Sequence, residues 1–343
     1  MRPWTGAAAS LADRIAAFVR GSLGGAAPEP FEALALAIHR WQAAHDPVLA
    51  SLIEAPVRRW DQIPAVPVAL FKDLPIGTVG RDEPAVIFRT SGTTGGGRGS
   101  HRIRSSALYD LGATAWARRC VPGMPSRIVA LLEDPATAPD ASLSHMVARF
   151  GDVSWHAPGG QLDLEGLRSR LDGEGAPVLL ASTAFALAQW LEAAPAALPR
   201  GSVVMVTGGF KGRVHRLEGD ALYRATHDRL RPARLVTEYG MTELSSQLWG
   251  APGLPYLPPP WLRVVAIDPR SGSPLPEGQE GQLRLYDLCN LDSTLGIETM
   301  DQGRIRSDGA VQLLGRLPGA PARGCSLTVE EAWVKAGPGG DPT

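Results

Sequence analysis

Two amphipathic runs open the chain. Leu11, Ile15, Phe18 and Val19 recur at helical spacing after Ser10, a side chain suited to capping a helix. Phe31, Leu34, Ile38 and Trp41 do the same after Pro30. A proline-broken stretch, Ile63-Pro64-Ala65-Val66-Pro67, then leads to Phe71-Lys72-Asp73. Beyond it, short apolar runs alternate with helical spacing. The pattern predicts strands over 85–88, 128–132, 178–180, 203–206 and 235–236, and helices over 107–117, 142–150 and 184–191. Strand–helix alternation predicts an α/β fold with mostly parallel sheets. Ligands of such sheets bind beyond the carboxyl ends of the strands, where the intervening loops lie. From Trp261 the pattern changes: short strands are expected over 262–267, 281–286 and 311–314, with turns and no long helix between them. The expected organisation is an α/β core with N-terminal helices over 1–260, a small β-rich subregion over 261–336, and a glycine- and proline-rich tail over 337–343 that frays.

Composition narrows the class. With 343 residues and 44% of them apolar, the chain has material for one large domain or two modest ones. The 34 basic and 35 acidic side chains nearly cancel, so overall charge makes no case for nucleic acid. No apolar run approaches the roughly 18 residues of a membrane span, and the N-terminus lacks the apolar centre of a signal peptide. A cytoplasmic location is therefore expected. Cys120, Cys289 and Cys325 are far apart, without CxxC or zinc spacing, which argues against a disulfide scaffold and a structural metal.

The densest chemistry lies between Thr90 and Ser100. Thr90, Ser91, Thr93 and Thr94 supply hydroxyls, Gly92, Gly95, Gly96, Gly97 and Gly99 supply close backbone approach, and Arg98 supplies charge. Glycines let backbone N–H groups nest around phosphate oxygens. The spacing is not that of a Walker loop, and a polar surface loop is the competing reading. A second group, Glu238-Tyr239-Gly240-Met241-Thr242-Glu243, follows a short apolar strand. It combines a flat ring for a base with a hydroxyl and a carboxylate for phosphate and Mg²⁺; alone, such turns are more often structural. His101, beside the first loop, and His145, at a helix start, each read either as site residues or as structural histidines.

These segments resemble the adenylate-forming superfamily of acyl-CoA synthetases, peptide-synthetase adenylation domains and luciferases. TSGTTGGGRG is similar to its Ser/Thr/Gly-rich loop and EYGMTE to its YGxTE motif. Thr207-Gly208-Gly209 stands where the family lines its adenine pocket, 297–303 resembles its TGD segment, and Leu314-Gly315-Arg316 its GR segment. The resemblance implies ATP and Mg²⁺ as cofactors. It implies that Thr90 to Arg98 wrap the phosphates, Gly208, Gly209, Glu238 and Gly240 line the nucleotide site, and Tyr239 stacks on adenine. Thr242 would contact the adenylate phosphate, Glu243 hold Mg²⁺, and Asp301 with Arg316 bind the ribose. Met241, His145, Phe185 and Phe210 would line the substrate pocket, with Leu248 and Trp249 nearby, for an apolar fatty or aryl acid.

IPAVPVALFK, TGGFKGR, TEYGMTELSSQ and ARGCSL further resemble the LuxE-type acyl-protein synthetases. In that family a cysteine near the C-terminus carries the acyl group as a thioester, and Cys325 matches it. A thiolate suits acyl capture, and Arg323 would lower its pKa; a buried structural thiol is the alternative. An acyl-transferase, reductase or carrier protein is the implied partner. The sequence departs from the superfamily in two ways. Arg98 stands where a lysine is usual, and the chain ends soon after Arg316, so the usual C-terminal domain with its catalytic lysine is expected to be missing. Lys72 or Lys211 are candidates to replace that lysine, each equally readable as solvated. Three functions stay open: self-acylation on Cys325, an adenylating ligase serving coenzyme A, a carrier protein or an amine, and a non-catalytic nucleotide-binding subunit.

Overall fold

The computed structural model describes residues 4–80, 83, 85–90, 98–171, 175–208 and 219–318. Its first helix, α1 (Gly6–Leu23), starts after Thr5 and not after Ser10. Ala7 to Ala9 explain the difference, because alanine is the strongest helix former and carries the helix back past the serine. Helix α2 (Phe31–His45) begins after Pro30, and α3 (Pro47–Ser51) is capped by Asp46, which accepts from Val48 N at 2.8 Å. Leu11, Ile15, Phe18, Leu34 and Ile38 pack with Trp261, Tyr286 and Leu288. The opening helices thus cover the later, β-rich part of the chain. Strand β1 (Val66–Pro67) leads into a tight 68–72 turn.

Strands β2 (Val86–Arg89) and β3 (Ser100–Ile103) form an antiparallel pair that ends at Arg89 opposite Ser100. The glycine-rich segment thus follows the short strand expected at 85–88, which pairs in this hairpin and not in the parallel sheet. Phe88, His101 and Ile103 are buried while Arg89 is exposed, the alternation of a half-buried hairpin.

After α4 (Ala107–Cys120), strands and helices alternate: β4 (Arg127–Leu131), α5 (Ser142–Val147), β5 (Asp152–Trp155), α6 (Leu164–Leu171), β6 (Leu179–Thr183), α7 (Ala184–Glu192), β7 (Val203–Thr207), α8 (Asp220–Leu230), β8 (Arg234–Tyr239) and β9 (Leu248–Gly250). The sheet order is β5-β4-β6-β7-β8-β9, parallel except for β9. The α/β expectation holds, and the central strands β6 and β7 are buried throughout. One apolar layer includes Phe185, Leu187, Trp190, Val204 and Val206; the other includes Phe88, Tyr109, Met146, Met205 and Trp249. Strands β5 and β9 were not foreseen, since both are short edge strands with little apolar run.

The remaining strands are β10 (Leu262–Ile267), β11 (Glu280–Asp287), β12 (Gly296–Ile305) and β13 (Val311–Arg316). They pair antiparallel in that order, and β1 adds to β12 in parallel. The segment 297–303, read above only as a motif, lies within the long strand β12. Among the described residues no helix is long and apolar enough to cross a membrane.

Candidate active site

Three of the motifs meet at one point. Tyr239, the last residue of β8, donates its hydroxyl to Asp301 Oδ2 at 2.6 Å. Asp301 of β12 stands in register with Arg316 of β13, whose Nε lies 3.2 Å from Oδ1. The Asp301 N–H donates to Thr299 Oγ1 at 3.1 Å, and that hydroxyl donates to Leu283 O at 2.8 Å. The carboxylate is therefore held from both its backbone and its oxygens. The Tyr239 ring also meets Tyr256 edge-on, centroids 6.0 Å apart.

Beside it, at the ends of β7 and β8, Thr207 donates its hydroxyl to Glu238 Oε2. Burial pushes the Glu238 carboxyl up to about 7, the Thr207 hydrogen bond acting the other way. Gly240 is required here for space: a Cβ would sit 2.4 Å from Glu238 Oε1 and 3.2 Å from Gln247 Cγ. Gly208 ends β7 at φ +71°, a conformation that favours glycine. Thr207, Glu238, Gly240, Met241 and Gln247 form one wall of a cleft, and Tyr109 of α4 with Ser142, Leu143 and Met146 of α5 form the other.

The turn after β8 carries Thr242 and Glu243, both buried. It rests on a polar support that sequence reasoning missed. Asn290 Nδ2 donates to Glu243 O at 2.9 Å, and Ser245 N donates to Asn290 Oδ1 at 2.8 Å. Asp287 accepts from Ser245 N at 3.1 Å and from Ser246 Oγ at 2.8 Å, and Trp261 Nε1 donates to Ser246 Oγ at 3.0 Å. Burial lifts Asp287 to about 6 against these hydrogen bonds. The available sign was the cluster Asp287, Asn290 and Asp292 at the end of an apolar strand, since buried polar groups need partners.

At the glycine-rich segment the structure shows its two ends. Thr90 N donates to Gly99 O at 2.9 Å, and Gly99 N donates to Thr90 Oγ1 at 2.8 Å. Arg98 donates through Nε to Thr90 O and through Nη1 to Asp140 Oδ2, each at 2.8 Å. Arg98 thus braces the base of the segment against the stretch before α5. Lys72 is exposed and follows Phe71, whose carbonyl carbon lies 3.4 Å from where a Gly99 Cβ would stand. Ser91, Gly92, Thr93, Thr94, Gly95, Gly209, Phe210, Lys211 and Cys325 lie outside the described residues.

Two pocket expectations are corrected. Phe185 is buried in the core with Val206 and Leu131, in the layer opposite the cleft, because α7 turns that side chain under the sheet. His145 faces α4, its Nε2 2.7 Å from Asp110 Oδ1, while Arg149 Nε lies 3.2 Å from Oδ2. Its ring meets Phe88 and Tyr109 edge-on. Helical spacing turns Leu143 and Met146 toward the cleft and His145 away from it. His101 is fully buried, and burial lowers it to about 4, so it is a neutral core histidine. Burial raises the Cys120 thiol to about 11 and Cys289 well above its ordinary value. Among the described residues no group of three or more His, Cys, Asp or Glu side chains stands ready for a metal.

No family model matches the chain. A long-chain-fatty-acid–luciferin-component ligase of Vibrio harveyi is 28% identical over 89 residues, 24% of this chain and 24% of the relative. That likeness covers about a quarter of each chain. Among solved structures, ATP-bound MatB of Rhodopseudomonas palustris is 17% identical (TM-score 0.49), covering 68% of this chain and 49% of that one. The O-succinylbenzoate coenzyme A synthetase MenE of Bacillus subtilis with AMP is 16% identical (TM-score 0.48), covering 67% and 49%. The N-terminal subdomain of NpsA from Klebsiella oxytoca is 18% identical (TM-score 0.46), covering 70% and 66%. The chain therefore aligns with about half the length of MatB and MenE, and its curated match spans about a quarter of that relative.

Proposed function

We propose that this chain is a LuxE-type acyl-protein synthetase, which activates a carboxylic acid with ATP, forming an acyl-adenylate, and then passes the acyl group to a thiol. The observation that carries the reading is the meeting of Tyr239, Asp301 and Arg316, three side chains from separate motifs, beside a cleft at the carboxyl ends of parallel strands. In this reading the Tyr239 ring is the adenine platform and Asp301, steadied by Arg316, accepts the ribose hydroxyls. Thr207, Gly208 and Gly240 edge the pocket where acid and nucleotide meet. Thr242 donates to the α-phosphate, and the segment from Thr90 to Arg98 holds the outgoing pyrophosphate.

The acid attacks in line: a carboxylate oxygen bonds to the α-phosphorus as the bond to pyrophosphate breaks. Such a step is accelerated by positioning and by charge stabilisation. Glu243 fits a magnesium ion, which binds through one or two carboxylates together with substrate phosphates and water. A single buried carboxylate on the turn, with no ready-made cluster among the described residues, matches a metal that arrives with ATP. Bound there, Mg²⁺ would neutralise charge on the phosphates. Lys72, following the residue packed on Gly99, or Lys211 would supply the cation that a catalytic lysine provides elsewhere in the superfamily.

Cys325 is the proposed acyl acceptor. Cys120 and Cys289 are held protonated by burial, so of the three cysteines Cys325 is the candidate thiolate. Its sulfur attacks the acyl carbonyl, AMP leaves, and the thioester is delivered to a partner such as an acyl-transferase, reductase or carrier protein. The test is the intact mass of wild type and Cys325→Ala after incubation with Mg-ATP and a panel of acids. A hydroxylamine-sensitive adduct on wild type alone is expected. Pyrophosphate release without any adduct overturns self-acylation and leaves a ligase with an external acceptor.

A further inference from the structure

The cleft is small and its wall along β7 and β8 is polar. The space between its walls is about 280 Å³, mouth included. Leu143, Met146 and Met241 make apolar sides. Glu238 and Gln247 flank the same side of Gly240, where an added Cβ would touch both. Each is 4% exposed. Gln247 Oε1 is buried without a hydrogen-bond partner, and Glu238 has spent one oxygen on the Thr207 hydroxyl. The cleft therefore presents an unpaired buried acceptor, Gln247 Oε1, beside the Glu238 carboxyl.

A buried acceptor left unpaired costs about 1–3 kcal/mol. A long alkyl chain lying in this cleft would seal Gln247 Oε1 away from water and give it nothing. A hydroxyl or amino group on the acid would satisfy it. Resting on the reading above, we propose that the acid activated here is compact and carries an O–H or N–H donor remote from its carboxylate, received by Gln247 Oε1 beside the Glu238 carboxyl. This departs from the long-chain acid named for the Vibrio harveyi relative. Sites built to bond a substrate hydroxyl or amine reject the analogue lacking it strongly, because their own polar groups are then stranded.

The test is pyrophosphate release with hydroxamate capture of the adenylate, using full-length protein and near-isosteric acids. The aryl arm compares 4-hydroxybenzoate and 4-aminobenzoate with 4-methylbenzoate; the alkyl arm compares 4-hydroxybutanoate with pentanoate; tetradecanoate completes the panel. Within an arm, the donor-bearing acid is expected to exceed its partner at least tenfold in kcat/KM, and tetradecanoate to be poorer still. Gln247→Leu should narrow the preference to threefold or less. The wild-type panel decides the matter even if that variant fails to fold. Equal or better turnover of the donor-free acids or of tetradecanoate overturns the substrate class and leaves acid activation standing. No adenylate from any acid overturns the activation reading itself, and this proposal with it.

Discussion

Tyr239 and Asp301, 62 residues apart in sequence, are joined by a 2.6 Å hydrogen bond from the tyrosine hydroxyl to carboxylate Oδ2. The bond ties the end of the parallel sheet to the middle of β12, so the proposed base platform and ribose acceptor are fixed relative to each other. Tyr239→Phe keeps the ring and removes this tie. Hydrogen bonds to charged groups contribute about 1.5–3 kcal/mol. The variant should bind ATP roughly tenfold more weakly by calorimetry, with a smaller change than Tyr239→Ala. An unchanged ATP affinity in both variants would remove Tyr239 from the nucleotide site.

Glu238 predicts a pH dependence of stability. Its carboxyl sits near 7 in the fold against an ordinary value of 4.5, because burial disfavours the charge. The native state then holds the proton while the unfolded chain releases it, so this contribution is full below pH 4.5 and is lost as pH rises through 7. Glu238→Gln carries no such dependence. Between pH 5 and pH 8, urea unfolding should show the variant gaining roughly 2–3 kcal/mol relative to wild type. Parallel stability curves for the two proteins would contradict the raised carboxyl.

Gly240→Ala should lose both stability and acid activation. The new methyl lands 2.4 Å from Glu238 Oε1, and that carboxyl is already held by Thr207. Overpacking of this kind costs about 1–3 kcal/mol. Combining it with Glu238→Ala frees the space, so thermal melting of the double variant should show less than the sum of the two losses. Strict additivity would mean that the two residues do not press on each other.

Arg98 and Asp140 should act as one unit. Arg98 bridges Thr90 O and Asp140 Oδ2, and the Asp140 carbonyl accepts from Arg89 N at 2.9 Å. Arg98→Ala and Asp140→Ala are each expected to raise the KM for ATP several-fold by loosening the base of the glycine-rich segment. The double variant should be little worse than either single one. Effects that multiply would assign Arg98 to the phosphates directly.

The hairpin that carries this segment shows where sequence reading stopped. Ala85 to Phe88 looks like any short apolar strand, and nothing local says which neighbour it will pair with. Pairing with Ser100–Ile103 is set by burying Phe88, His101 and Ile103 under α4 and α5, a three-dimensional event. Phe185 and His145 failed as pocket residues for a related reason. Proximity to a strand end was legible, but the side of the helix each side chain faces depends on how α5 and α7 dock.

What the sequence determined by itself is everything that rests on local pattern. Buried runs such as Val203–Thr207 can only be strands of a covered sheet, and their alternation with helices makes that sheet parallel. The motif residues Tyr239, Asp301 and Arg316 were named through the family resemblance of their segments. Tertiary structure decided their company: the Tyr239–Asp301 bond, the Glu238–Thr207 pair and the Asp287–Asn290 support beneath the 240–247 turn. Each joins residues 31 to 62 positions apart or braces a turn from another sheet. Local propensity reaches only a few residues along the chain. Such partners are chosen by what burial leaves unpaired, and that is known only once the sheets have packed.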